Sequence, residues 1–153
     1  METSMTELKV KKRNGRGEES LKLDKIHRMV EFACEGLAGV SESAIEMNAN
    51  LQFFDGISTA DIQEILIKSA NDLISLDNPN YQFVAARLLS YGLRKSVYGQ
   101  HPDVRPYILD HVNDCIEKGV YDGTILAKYT EDEWSEIDGY IDNDRDYIFT
   151  YAG

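Results

Sequence analysis

The spacing of hydrophobic positions changes early in this chain. Leu8 and Val10 share one alternating phase with Lys12, while Lys9, Lys11 and Arg13 share the other. Leu21 and Leu23 give a second, shorter alternation. Between them lies Asn14-Gly15-Arg16-Gly17, a turn sequence because Asn and Gly accept the positive φ of tight turns. The pattern predicts a β-hairpin over residues 7–23. Lys12 then falls on the face that packs against the body, so it must snorkel out or meet an anion.

From there the spacing becomes helical. Asp24 stands at an N-cap position, and residues 25–36 read as a helix with Ile26, Met29, Val30, Ala33 and Leu37 on its buried stripe. Gly36 or Gly39 ends it. Ser41 caps a helix over residues 42–52, with Ile45, Ala49 and Phe53 inward. Asp55-Gly56-Ile57-Ser58-Thr59 reads as a loop, with Thr59 as N-cap of a helix over residues 60–76. Ile62, Ile65, Leu66, Ser69, Ala70, Leu73 and Ile74 form its inward face. Asp77-Asn78-Pro79-Asn80 breaks the chain before the longest helix, residues 81–98. Its apolar side carries Phe83 or Val84, then Ala85, Leu88, Leu89 and Gly92.

Residues 101–106 then read as a linker. A helix follows over residues 107–118, then a short turn over 124–128. Thr130-Glu131-Asp132-Glu133 is a capping box that opens a helix to residue 141. The expected fold is mainly α with a small N-terminal β-hairpin. Residues 1–7 form a flexible N-terminus, 8–100 one domain, and 101–153 a further helical segment.

Charge adds a second division. Residues 8–28 hold eight Lys and Arg and only three acids, against a chain total of 16 and 27. A cationic island on a chain of net charge −11 points to an anion site. The alternative is a plain solvated charge run. The turn into the first helix is short, so free N–H groups at the helix start come close to the hairpin's cations, and both favour an anion. Residues 101–153 carry 13 acids and four cations. The overall charge argues against nucleic acid and anionic membranes as partners. No apolar run approaches the roughly 20 residues of a membrane span. Met1 to Glu7 is polar, so no signal-peptide pattern opens the chain, which points to the cytoplasm.

Cys34 and Cys115 lie far apart and read as small apolar fillers on helices. Asp142-Asn143-Asp144-Arg145-Asp146 lacks the central Gly and closing Glu of a calcium loop, and no metal is expected. There is no Walker motif, no dinucleotide fingerprint after a strand and no local triad signature. The remaining chemistry is phosphate binding. Lys12, Arg13, Lys25 and Lys95 supply cations, and Thr59 supplies a hydroxyl with the N–H groups of its helix.

These residues fall within a known pattern. Val10-Lys11-Lys12-Arg13-Asn14-Gly15, Leu23-Asp24-Lys25-Ile26-His27-Arg28, Asp55-Gly56-Ile57-Ser58-Thr59-Ala60-Asp61-Ile62, Asn80-Tyr81-Gln82-Phe83-Val84-Ala85-Ala86-Arg87-Leu88 and Leu93-Arg94-Lys95-Ser96-Val97-Tyr98-Gly99 occur in order. The set resembles the ATP-cone, the allosteric domain at the N-terminus of class I ribonucleotide reductase large subunits. The likeness is to bacterial and phage class Ia subunits. Tyr121-Asp122 and Ile141 to Asp146 resemble the segment that leads into the catalytic barrel.

The resemblance implies a hairpin capping a four-helix cluster, followed by further short helices. It implies ATP or dATP, carried with Mg2+, as allosteric effector, and no catalytic cofactor. It carries Lys12, Thr59 and Lys95 onto triphosphate positions, flanked by Arg13. Val10, Glu19, Lys22, Lys25 and Ile26 fall near base and sugar, and Tyr91 on an aromatic lining position. The turn carries one residue more than the family pattern, which leaves Glu18 and Glu19 both open for one position. Gln63 stands where relatives often have His, and Lys22 where they have Asn. The family's chemistry needs a radical-bearing cysteine and a redox cysteine pair in a ten-stranded barrel, which two helix cysteines do not supply. The chain is therefore expected to be an isolated regulatory module, a truncated piece or one part of a split subunit. Its implied partners are the remainder of the large subunit and the radical-generating small subunit, with a homo-oligomer also open. A transcriptional repressor carrying the same cone would need a four-cysteine zinc ribbon and a DNA-compatible charge. A helical interaction module without nucleotide is the other alternative.

Overall fold

The computed structural model describes residues 8–99 and 104–153. The expected flexible terminus, residues 1–7, and the start of the expected linker, including His101, lie outside them. The described chain is mainly helical with a small sheet at its start. Strands β1 (Lys9–Lys11) and β2 (Glu18–Ser20) pair antiparallel, Lys9 opposite Ser20 and Lys11 opposite Glu18. Lys12 N–H donates to the Gly17 carbonyl at 2.9 Å and closes the hairpin, while a 3-10 turn spans Arg13–Gly15. Gly15 and Gly17 take φ of 66° and 93°, which explains glycine at both turn positions.

Residues 55–59 are not the loop that sequence predicts. Ile57–Ser58 is a third strand, β3, parallel to β1, so the sheet order is β2-β1-β3. Two residues are too few to show periodicity. The pairing is set instead by β1's open edge: Lys9 N–H donates to the Asp55 carboxylate at 2.9 Å, and Gly56 N–H to the Lys9 carbonyl at 2.9 Å.

Helices α1 (Leu23–Cys34), α2 (Glu42–Asn50), α3 (Thr59–Asp72) and α4 (Tyr81–Tyr98) follow. The start of α1 differs from expectation. Lys22, not Asp24, is the N-cap, and Leu23 opens the helix, 54% exposed, instead of extending the strand. Leu21 N–H still bonds the Leu8 carbonyl, so the chain leaves the sheet there and turns at once into helix. At α3 the N-cap is Ser58, not Thr59. The Ser58 side chain accepts from Asp61 N–H and the Asp61 carboxylate accepts from Ser58, a reciprocal box that needs an acid three residues on. From Thr59 that position is Ile62, which cannot reciprocate. Helix α3 ends at Asp72, before residue 76, and Ile74 lies beyond it, exposed. On α4 the buried residue is Val84 rather than Phe83, and Leu89 faces outward at 49% exposure.

Two compact units result. The first comprises residues up to Gly92 together with Tyr147–Gly153. Its core gathers Val10 and Ile57 from the sheet with Ile26, Val30, Ile45, Leu66, Val84 and Leu88 from four helices. Fully burying one such side chain contributes about 1.5–3 kcal/mol, so this cluster holds the sheet onto the helices. Arg87 donates to the Glu35 carbonyl at 2.7 Å, closing the end of α1, and lies 5.0 Å from the Tyr147 ring centroid. Cys34 is buried there, its thiol pushed up to about 11 by burial, consistent with a packing role.

The second unit, Leu93–Asp146, holds α5 (Ile108–Glu117) and α6 (Glu131–Gly139), each two residues shorter than expected. The Thr130–Glu133 capping box is present. Val112 and Trp134 are the buried apolar residues of this unit among those described, with Tyr129 edge-on to Trp134 at 5.3 Å. Asp138 pairs with Arg105 at 2.6 Å and accepts the Ile108 N–H at 2.9 Å, so it caps α5 in place of Tyr107. The Arg105 guanidinium holds the Asp138 carboxyl below its ordinary range. Among the described residues no helix is long and apolar enough to cross a membrane, and no group of His, Cys, Asp or Glu could hold a metal.

Candidate functional site

The sheet register builds the site. Val10 pairs with Glu19 on one side and with Ile57 on the other. Directly opposed residues share a face. Val10 and Ile57 are 4% and 0% exposed, so this is the core face. Glu19 thus puts a carboxylate on the inward row, at the edge strand where the row reaches solvent. There it meets Lys12 Nζ at 2.9 Å and Lys25 Nζ at 3.0 Å. Lys12 directly follows β1 in Val10's phase, and Lys25 lies in the first turn of α1. Three elements therefore converge on one carboxylate. The Lys12 and then the Lys25 hydrogen bonds hold Glu19 at about 2, so it is ionised at physiological pH. The Lys12, Lys25 and Glu19 side chains remain 40%, 59% and 27% exposed, within reach of a ligand from solution.

The start of α1 adds to the cationic field. Lys22 at the N-cap makes no side-chain cap bond. A lysine is an unfavourable residue at the positive end of a helix dipole, and an anion there is favourable. The parallel ladder ends at Lys11 and Ser58, so the next residues along it are Lys12 and Thr59. The α3 cap uses Ser58 and Asp61 and leaves the Thr59 hydroxyl out of it.

Other predicted residues have different settings. Val10 and Ile26 are buried core residues, and Arg13 lies in the hairpin turn. Gln63, one turn into α3, donates its amide to the Leu88 carbonyl of α4. A Cβ at Gly92 would come within 3.1 Å of Gln63, so that glycine lets the two helices approach. Tyr91 packs on Phe32 with ring centroids 6.1 Å apart. Lys95 lies one turn beyond Tyr91 on α4, in the second unit. Sequence reasoning missed Ser58, Asp61 and Asp55. The Ser-x-x-Asp spacing, read one residue earlier than Thr59, would have found the first two.

A family model described as the ATP cone domain matches residues 8–96. The chain belongs to the ATP-cone family. The match covers the hairpin, α1 to α3 and most of α4, the segment that carries the cation cluster. Over 145 residues, 95% of its length, the chain is 50% identical to ribonucleoside-diphosphate reductase 1 subunit alpha of Escherichia coli (strain K12), covering 19% of that protein. Similarity to the alpha subunit of Haemophilus influenzae is 48% over 145 residues, again 95% of this chain and 19% of the relative. For the alpha subunit of Enterobacteria phage T4 it is 41% over 131 residues, 84% of this chain and 17% of the relative. The ATP-cone chain thus spans about a fifth of the length of the relatives it matches.

Proposed function

We propose that this ATP-cone binds ATP or dATP through its triphosphate and serves as the allosteric regulatory part of a ribonucleotide reductase large subunit. In that role it controls the reduction of ribonucleotides to deoxyribonucleotides. The observation that carries the proposal is the convergence of Lys12, Lys25 and the α1 N-terminus, with Lys22 at its cap, around a single carboxylate. Cations outnumber acids there, and the excess suits a polyanion carried with Mg2+. Arg13 and the Thr59 hydroxyl extend the set, while Val10 and Ile26 form its apolar floor. Glu19, Gln63 and Tyr91 enter as base, sugar and lining residues, and Lys95 as a further phosphate contact, on the family resemblance. The partners in this reading are the remainder of the large subunit and the radical-generating small subunit, and its setting is the cytoplasm. The similarity to reductase alpha subunits, of which this chain spans about a fifth, supports the partners.

Isothermal calorimetry with ATP and dATP on the chain as it stands tests the proposal. Saturable binding that Lys12→Ala weakens is the expected result. No heat and no rise in melting temperature at millimolar nucleotide would leave a helical interaction module as the better reading.

A further inference from the structure

The cation cluster already contains an anion, and it belongs to the protein. Glu19 accepts from Lys12 at 2.9 Å and from Lys25 at 3.0 Å, joining the residue that follows β1, strand β2 and α1 through one side chain. Its neighbour Glu18 has the same charge but lies in the other phase of β2, opposite Lys11, and is exposed. Of these two acids, Glu19 is the one that stands where an incoming phosphate would have to bind the same two ammonium groups.

Resting on the nucleotide-binding reading above, we propose that Glu19 is a built-in competitor for the phosphate chain. Its carboxylate holds Lys12 and Lys25 until a polyphosphate displaces it, and the displacement unties β2 from α1. Two consequences follow from charge. Without ligand, Glu19 offsets the mutual repulsion of the lysines and keeps the hairpin seated. With ligand, a polyphosphate brings several charges against one carboxylate, whereas a single phosphate group offers little advantage over the bonds it must replace. The latch therefore sets a threshold that favours polyphosphates and couples their binding to a change in how the hairpin is held. Glu19 stays ionised well below neutrality, so occupancy of the latch is governed by ligand rather than by pH.

The probe is inorganic tripolyphosphate, which has no base or sugar and so removes any contact Glu19 makes with them. Calorimetry compares wild type, Glu19→Gln and Glu18→Gln, which lose the same charge one residue apart. The expected result is tripolyphosphate binding tighter by about fivefold or more in Glu19→Gln and little changed in Glu18→Gln. Equal affinities in the two variants, or no gain in Glu19→Gln while wild type still binds ATP, would overturn the latch and leave nucleotide binding standing. Failure of every protein to bind either tripolyphosphate or ATP would overturn both. A wild-type measurement guards against misfolding of the variant. The Glu19 carboxyl carbon, followed by NMR at neutral pH, should move toward the position of a solvent-exposed glutamate as tripolyphosphate is added. An unmoved signal at saturation would contradict displacement.

Discussion

The hairpin with α1 and the α5–α6 region treat charge in opposite ways. In the second unit Arg105 pairs with Asp138 and Lys118 with Asp114, each at 2.6 Å and each one cation to one acid. The Asp138 pair also caps a helix, so its work is structural. In the first unit two lysines share one carboxylate, and a third lysine occupies a helix N-cap. One-to-one pairing consumes charge, whereas two-to-one pairing leaves a field that a ligand can complete. The difference separates charges that stabilise the fold from charges available for recognition, although both look alike as charge runs in sequence.

The sharpest way to break this comparison is to collapse either core. Leu66→Ala should destabilise the first unit by about 2–5 kcal/mol, and Trp134→Ala the second by about 3–5 kcal/mol. Chemical denaturation followed by circular dichroism reads both. Nucleotide binding should fall with the first core, since Leu66 is fully buried in the cluster that also holds Val10 and Ile57 of the sheet. Next in size is the ligand itself. Lys12→Ala should weaken triphosphate binding by about 1.5–3 kcal/mol, the range for a charge-assisted contact. Lys118→Ala, which breaks only an exposed one-to-one pair, should leave it unchanged by calorimetry.

A smaller effect belongs to Ser69, whose hydroxyl is fully buried and has no hydrogen-bond partner. Ser69→Ala should be neutral or stabilise the first unit by up to about 1 kcal/mol, because it removes an unsatisfied polar group. Smallest is a pH effect. His27 lies 2.7 Å from Glu46, which raises its pKa, with Glu31 and Glu42 adding in the same direction. The protonated form is favoured by folding, so this stabilisation is complete below about pH 6.5 and fades as pH rises through the raised value. Thermal melts from pH 5 to 9 should show a slight decline on the alkaline side that His27→Gln removes.

The long elements were legible because their apolar spacing is long and regular. Residues 81–98 have the same limits in sequence and structure, and the Thr130–Glu133 box opens its helix as expected. Short elements were not. Strand β3 is two residues long and exists only because β1 offers an edge, which local sequence does not reveal. The α3 cap was displaced by one residue because Thr59 and Ser58 are both good caps, and only the acid at Asp61 decides between them. For the site, the cation excess around Lys12 and Lys25 was visible as composition. The parity of Lys12 left two outcomes, snorkelling out or meeting an anion, and the structure pairs it with one while leaving it 40% exposed. That the anion is Glu19 was not visible, since it depends on the register that sets Glu19 beside Val10.

The most direct test is an NMR titration of the isotopically labelled chain with ATP, following backbone amides and lysine side chains. Binding at the cation cluster predicts saturable shifts concentrated at Lys12, Lys25 and the first turns of α1 and α3, with α5 and α6 nearly silent. Shifts centred on α5 and α6, or none at millimolar ATP, would contradict it.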